Sequence, residues 1–199
     1  GDVDFAAMVP MQLQASLKTL DRVGKVLVGG APVSKNLREA LLGKKTIVYE
    51  SYGMSETASH IALRKLNPPD AEDFSGELPA FKALPGITLE QDCLVVHAPF
   101  ISNDPIQTND LVSMQDAHSF QWLGRADHVV NSGGVKLIPE LLEAQLEPVL
   151  KGRFFLTGIP DEVLGEKLVL IAEGKADDDL LTKLKNSGVL EKYAVPKGV

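Results

Sequence analysis

Apolar residues Leu13, Leu17 and Leu20 recur at helical spacing, and the run Lys25-Val26-Leu27-Val28 after them is short enough for a buried strand. Gly29-Gly30 ends that run. Ser34 predicts a helix N-cap ahead of Leu37, Ala40 and Leu41 on one face, with Gly43 where the helix stops. Thr46-Ile47-Val48-Tyr49 reads as the next strand. Strand, helix, strand over this length predicts a βαβ unit with parallel strands, since such crossovers are almost always right-handed. Gly29-Gly30 and Tyr52-Gly53 then both leave carboxyl ends of parallel strands, where ligand crevices of open α/β sheets form.

From about residue 68 the texture changes. Pro68, Pro69, Pro79, Pro85, Pro99 and Pro105 punctuate short candidate strands, Ile87-Glu90, Leu94-His97, Leu111-Met114 and Phe120-Leu123, which predicts a β-rich, barrel-like or meandering region. Near Asp127 a further region begins. It holds a strand-like segment His128-Asn131, a turn at Ser132-Gly133-Gly134, and a helix from Pro139 with Leu142, Leu146, Val149 and Leu150 facing inward. Phe154-Thr157 and Lys167-Ala172 add strands, and Asp177 caps a helix bearing Leu180, Leu181 and Leu184 before Gly188. The expected fold class is α/β plus α+β: residues 1–67 α/β, 68–126 β-rich, and 127–199 a small α+β domain. No internal repeat or low-complexity tract is found.

Composition narrows the partners. A chain of 199 residues, 44% hydrophobic and 24% charged, can bury one good core or two small ones. The net charge of −7 and the absence of a basic run argue against a nucleic-acid partner. No apolar stretch approaches the roughly 20 residues needed to span a bilayer, and Gly1-Asp2-Val3-Asp4 does not resemble a signal peptide. The lone Cys93 forms no internal disulfide, which fits a reducing, cytoplasmic setting. His97, His118 and His128 lack metal-ligand spacing and read as structural or exposed. Oligomeric state is left open.

The chemistry gathers in Tyr52-Gly53-Met54-Ser55-Glu56-Thr57, Thr108-Asn109-Asp110-Leu111 and Gly124-Arg125-Ala126-Asp127. An aromatic face, a hydroxyl, two carboxylates and a guanidinium are what a nucleotide site uses. In this order the segments resemble the AMP-forming, acyl-adenylating enzymes: acyl-CoA synthetases, luciferases and nonribosomal adenylation domains. The resemblance runs from about Gly29 to Pro196 and implies the latter part of a large α/β domain with its β-rich subdomain, followed by a small C-terminal domain. It also implies ATP, Mg2+ and CoA as ligands, with a small carboxylic acid as substrate.

The roles implied are specific. Glu56 would hold Mg2+ and Ser55, where the family more often has threonine, would donate to phosphate; these two are the catalytic candidates. Tyr52 would stack on adenine, Gly53 and Met54 would border the acyl pocket, and Gly29-Gly30-Ala31 would let backbone approach the base. Asp110 stands where the family's aspartate accepts both ribose hydroxyls, with Asn109 in place of a glycine. Arg125 would assist ribose or phosphate, and Asp127 matches the hinge about which the small domain rotates. Gly133 and Gly134 would approach the pantetheine arm of CoA. The residues alone leave plainer readings open: a simple turn at Gly29-Gly30, a core role for Tyr52, a first-turn carboxylate at Glu56, and surface ions or caps at Asp110 and Arg125. Gly158-Ile159-Pro160-Asp161-Glu162-Val163-Leu164-Gly165-Glu166 resembles a family signature that serves packing.

Two family features are missing from the sequence. Nothing before Gly29 resembles the phosphate-cradling loop, and Tyr193-Ala194-Val195-Pro196-Lys197 leads toward the last family motif without its Gly-Lys, a role that Lys192 and Lys197 do not fill. The expectation is a fragment that cannot adenylate a substrate alone. The stretch 48–64 and the compact connection to Asp110 most resemble o-succinylbenzoate-CoA ligases of menaquinone synthesis. Other acyl-activating enzymes with aryl, fatty or amino acid substrates, or a non-catalytic binding module, are the alternatives. Ser59, His60 and Arg64, expected on a helix after the turn, could meet a dicarboxylate's polar end, against the plainer reading of a packed histidine and a solvated arginine.

Overall fold

The computed structural model describes residues 2–67, 78–91, 93–174 and 179–199. The boundary expected at residue 68, with Pro68 and Pro69, and the cap expected at Asp177 lie outside the described residues. The chain divides into two compact units: Gly1–Thr108 with Ser113–Trp122, and Asn109–Val112 with Leu123–Val199.

In the first unit, β1 (Val3–Met8), β2 (Val23–Val28) and β3 (Ile47–Gly53) lie side by side and parallel. The parallel pairing of β2 and β3 follows the sequence expectation. The helix between them, α2 (Lys35–Glu39), is short, and the Ser34 hydroxyl accepts the Leu37 N–H as its cap. The helix α1 (Pro10–Ser16) precedes β2; Leu13 and Leu20 are buried, but Leu20 sits in a separate 3-10 turn after the helix has ended. With Val26, Val28, Val33, Leu37, Leu41, Val48 and Leu66 they form one core. β1 was not foreseen. It is an edge strand whose side chains are largely exposed, so it shows no strong alternation of apolar and polar positions.

β4 (His60–Lys65) corrects the helix expected after the Tyr52 turn: it is a strand, antiparallel to β3, with Tyr49 opposite Lys65 and Tyr52 opposite Ala62. Two features decide this. Ala58 adopts a left-handed backbone (φ 58°), which interrupts any helix begun at Ser55. The free edge of β3 also needs a ladder partner, because buried backbone N–H and C=O groups are costly to leave unpaired. The remaining strands are β5 (Phe81–Ala83), β6 (Thr88–Glu90), β7 (Cys93–His97), β8 (Ile106–Asp116) and β9 (Ser119–Arg125). They extend the same sheet in the order β1-β2-β3-β4-β5-β9-β8-β7-β6, in which β6 to β9 form a meander.

The second unit carries its own sheet, ordered β11-β10-β13-β12. Its strands are β10 (Val130–Ser132), β11 (Val135–Leu137), β12 (Phe154–Asp161) and β13 (Gly165–Ala172), with the last two paired along their whole length. The strand expected at His128-Asn131 starts later, because Ala126–His128 is a 3-10 turn. Helix α3 (Pro139–Leu146) opens on Pro139, whose fixed φ suits a first helical position, and buries Leu142 and Leu146. Val149 does not face inward. The helix ends before it and leaves it 47% exposed, while Leu150 packs on the core. Helix α4 (Leu180–Ser187) buries Leu184 and ends at Gly188 in the left-handed region. Among the described residues no helix is long and apolar enough to cross a membrane.

Candidate functional site

The first unit assembles two loops at the carboxyl ends of parallel strands. Gly29 follows β2 and its N–H donates to Met8 O at the end of β1; a Cβ at position 29 would strike the Ser51 hydroxyl on β3. That hydroxyl donates in turn to Val28 O. Gly29, at the head of the Gly29-Gly30-Ala31 loop, therefore adjoins the strand that delivers Tyr52. At Gly53 the β3–β4 register shifts and the backbone of Ser59 and His60 comes so close that a side chain would collide with it.

A short 3-10 turn, Ser55–Thr57, follows. Buried Thr57 closes it: its hydroxyl oxygen accepts the Met54 N–H at 3.1 Å and lies 3.0 Å from Met54 O and 2.7 Å from Ser59 O, donating to one of them. Met54 is half-buried, while Ser55 and Glu56 are held outward and exposed. The sequence reading passed over Thr57. Its signal was a threonine three residues past the turn's start, within reach of the backbone it caps.

Tyr52 is half-buried and rests against Phe81 and Phe120, with ring centroids 5.7 and 5.1 Å away. The ring is thus part of an aromatic cluster. Arg64 is not a solvated arginine, because it lies directly opposite buried Glu50 on the neighbouring strand. Its Nε and Nη2 both donate to Glu50 Oε2 at 2.7 Å, and its guanidinium sits 4.2 Å from the Phe81 ring centroid. His60 is not packed either. The β-bulge leaves it exposed, with Nδ1 3.2 Å from the Ser59 hydroxyl.

The second unit holds the other candidates. Asp110 is buried, and its charge is among those that act on Arg125. Arg125 donates from Nε and Nη2 to the two carboxylate oxygens of Asp127 at 3.0 and 3.1 Å. This pairing raises the Arg125 guanidinium pKa and holds the Asp127 carboxyl below the usual aspartate range. Glu140, at the start of α3, accepts the Arg125 N–H at 3.3 Å and contacts His128 Nδ1 at 2.6 Å through the same oxygen, Oε1. A Cβ on Gly124 would collide with this carboxylate. Burial, reinforced by the charge of Glu140, raises the pKa of Glu143. A cavity of about 450 Å3 opens beside Asp127, walled by His128, Glu140, Glu143 and Phe155.

Gly133 and Gly134 make the two-residue turn between β10 and β11, with φ of 60° and 83°, as a type I′ hairpin needs. The Gly133 N–H donates to Leu164 O, which docks this hairpin on the β12–β13 turn. Asp161 shapes that second turn by accepting the Val163 and Leu164 N–H groups. Among the described residues no group of three or more His, Cys, Asp or Glu side chains could by itself hold a metal ion. A single outward carboxylate such as Glu56 suits Mg2+, which keeps several waters and takes phosphate oxygens when nucleotide is bound.

No family model matches the chain. The 2-succinylbenzoate–CoA ligase of Geobacillus kaustophilus is 28% identical over 98% of this chain and 47% of its own length. A probable 2-succinylbenzoate–CoA ligase of Mycobacterium tuberculosis is also 28% identical, over 83% of this chain and 46% of its own. Over nearly its whole length the chain is similar to proteins named as AMP-forming acyl-CoA synthetases. It spans about half the length of the curated relatives it matches. A solved structure of an AMP-forming acyl-CoA synthetase/AMP-acid ligase II-like protein from Dyadobacter fermentans is 39% identical, with a TM-score of 0.58 over 99% of this chain and 59% of that one. The o-succinylbenzoate CoA synthetase of Bacillus subtilis, solved with its acyl-adenylate intermediate, shares the fold at 22% identity, with a TM-score of 0.77 over 99% of this chain and 47% of that one. The α/β plus α+β architecture is that of the C-terminal portion of AMP-forming ligases.

Proposed function

We propose that this chain is the nucleotide-handling portion of an ATP-dependent acyl-CoA ligase, which activates a carboxylic acid as acyl-AMP and passes the acyl group to CoA, with o-succinylbenzoate as the acid. The observation that carries the reading is the clasped turn after β3: Thr57 holds the backbone on which exposed Ser55 and Glu56 stand, at the end of the strand whose Ser51 adjoins Gly29. The substrate assignment leans on curated relatives named for 2-succinylbenzoate. A cytoplasmic location fits a lone, unpaired Cys93.

Attack of a carboxylate on the α-phosphorus of ATP breaks the bond to the β-phosphate, expels pyrophosphate and builds charge on non-bridging oxygens, so positioned donors matter more than covalent chemistry from the protein. Ser55 donates a hydrogen bond to that charge. Glu56 supplies an oxygen ligand to Mg2+, which when bound would neutralise phosphate charge. Tyr52 stacks on adenine, and Gly29, Gly30 and Ala31 let backbone approach the base. Asp110 accepts from the ribose hydroxyls and Arg125 assists at ribose or phosphate. Asp127 is the hinge, and Gly133 and Gly134 leave a narrow path for the pantetheine thiol.

The test is CoA-thioester formation by the intact protein with ATP, Mg2+ and a panel of acids. Turnover of o-succinylbenzoate above aryl, fatty and amino acids supports the assignment. Turnover of another acid with none of o-succinylbenzoate removes that substrate, and no thioester from any acid removes the ligase reading.

A further inference from the structure

Glu50 and Arg64 are charged residues in the interior of the first unit, 4% and 9% exposed. A buried ion pair is weak evidence for stability, because the desolvation of two charges offsets much of their attraction. Its geometry here reaches beyond the pair. Glu50 spends Oε2 on Arg64 and Oε1 on the Val33 N–H at 3.2 Å, so the carboxylate ties β3 to the loop that begins at Gly29. Arg38 fixes the same residue from its other side by donating to Val33 O. Arg64 lies over Phe81, and Phe81 rests on Tyr52. Because Glu50 and Tyr52 are two apart on one strand, they share a face of the sheet.

We propose that Glu50 and Arg64 are a positioning pair that sets the spacing between the Gly29–Val33 loop and the Tyr52 ring, the gap in which a planar nucleobase is held. Arg64 then acts through other residues and is not a ligand for a substrate carboxylate, since Glu50 neutralises it. This role rests on the nucleotide reading of the site, and the test separates the two.

Removing one partner strands the other charge, whereas replacing both by apolar side chains of similar volume is often neutral for stability. E50Q should therefore lower the melting temperature, and E50L/R64M should recover it. For AMP binding by the full chain, measured by calorimetry, E50L/R64M should remain weakened by about tenfold or more, the loss expected for a hydrogen bond to a charged group. Recovery of both melting temperature and AMP affinity in E50L/R64M would show a merely structural pair and overturn the proposal. Should E50L/R64M fail to fold, R64K carries the same test: it keeps the charge but not the planar fork, and an unchanged AMP affinity overturns the positioning role. If the wild-type chain binds no AMP, the nucleotide reading fails, and exchange of the Val33 amide decides the remainder. Faster exchange in E50L/R64M upholds the loop tether, and unchanged exchange overturns it.

Discussion

The Thr57 hydroxyl accepts the backbone N–H of Met54 at 3.1 Å and helps close the turn on which Ser55 and Glu56 stand. Thr57 is 1% exposed, so its loss cannot be repaired freely by water. Thr57→Val should leave the Met54 N–H without its acceptor and cost about 1–3 kcal/mol by urea denaturation. Thr57→Ser should stay near wild type. Equal stabilities for the valine and serine variants would contradict the clasp.

Glu56 is exposed and outward, so Glu56→Gln should leave the melting temperature unchanged. In the intact protein the same substitution should lower ATP-dependent thioester formation by about 100-fold, the scale of removing one group that stabilises transition-state charge. An undiminished rate would release Glu56 from the role of Mg2+ ligand.

Both glycines of the β10–β11 hairpin adopt positive φ, and Gly133 also lies against Leu164. Gly133→Ala should therefore destabilise by about 1–2 kcal/mol. Gly134→Ala has open space around its Cβ and carries only the backbone strain. On the proposed role, Gly134→Ala in the intact protein should slow thioester formation while ATP-pyrophosphate exchange continues; equal loss of both half-reactions would contradict a path for the thiol there.

Glu143 is kept partly out of water, and its pKa is raised. A carboxyl whose folded pKa lies above its unfolded value binds protons preferentially in the folded state, so its contribution is full below the unfolded pKa and is lost as pH rises through the folded one. Glu143→Gln keeps an acceptor for the Leu156 N–H and removes the charge. It should be more stable than wild type at neutral pH, with the advantage disappearing below the glutamate range. A pH-independent difference in melting temperature would contradict this.

Asp127 shifts in the opposite direction. Arg125 holds its carboxyl low, so the pair's contribution is present above the unfolded pKa and is lost as pH falls through the folded one. Arg125→Ala should return the Asp127 carboxyl toward the ordinary aspartate range in a carbon-detected NMR titration. An unmoved titration would show that another group sets it.

The parallel β2–β3 pair, the Ser34 cap, the Pro139 helix start and the Gly133-Gly134 turn were legible because each depends on local chemistry: a short apolar run, a hydroxyl at a cap, a fixed φ, a free φ. β4 was not legible. Ile61, Ala62 and Leu63 with their flanks suit helix or strand, and the choice was made by the unpaired edge of β3 and by Ala58 in a left-handed backbone. Arg64 was misjudged for a related reason. Its partner Glu50 is fourteen residues away, and only the antiparallel register places them face to face. Ser55, Glu56 and Asp110 could be proposed from sequence because their motifs are contiguous, whereas Glu140, which braces the Arg125 segment from α3, lies in no motif.

The central claim is that the Tyr52–Thr57 turn handles an adenine nucleotide, and amide hydrogen exchange of the whole chain with and without AMP reads it directly. Slowed exchange across residues 52–57 in the presence of AMP is the result this account predicts. Exchange there that is indifferent to AMP would contradict it.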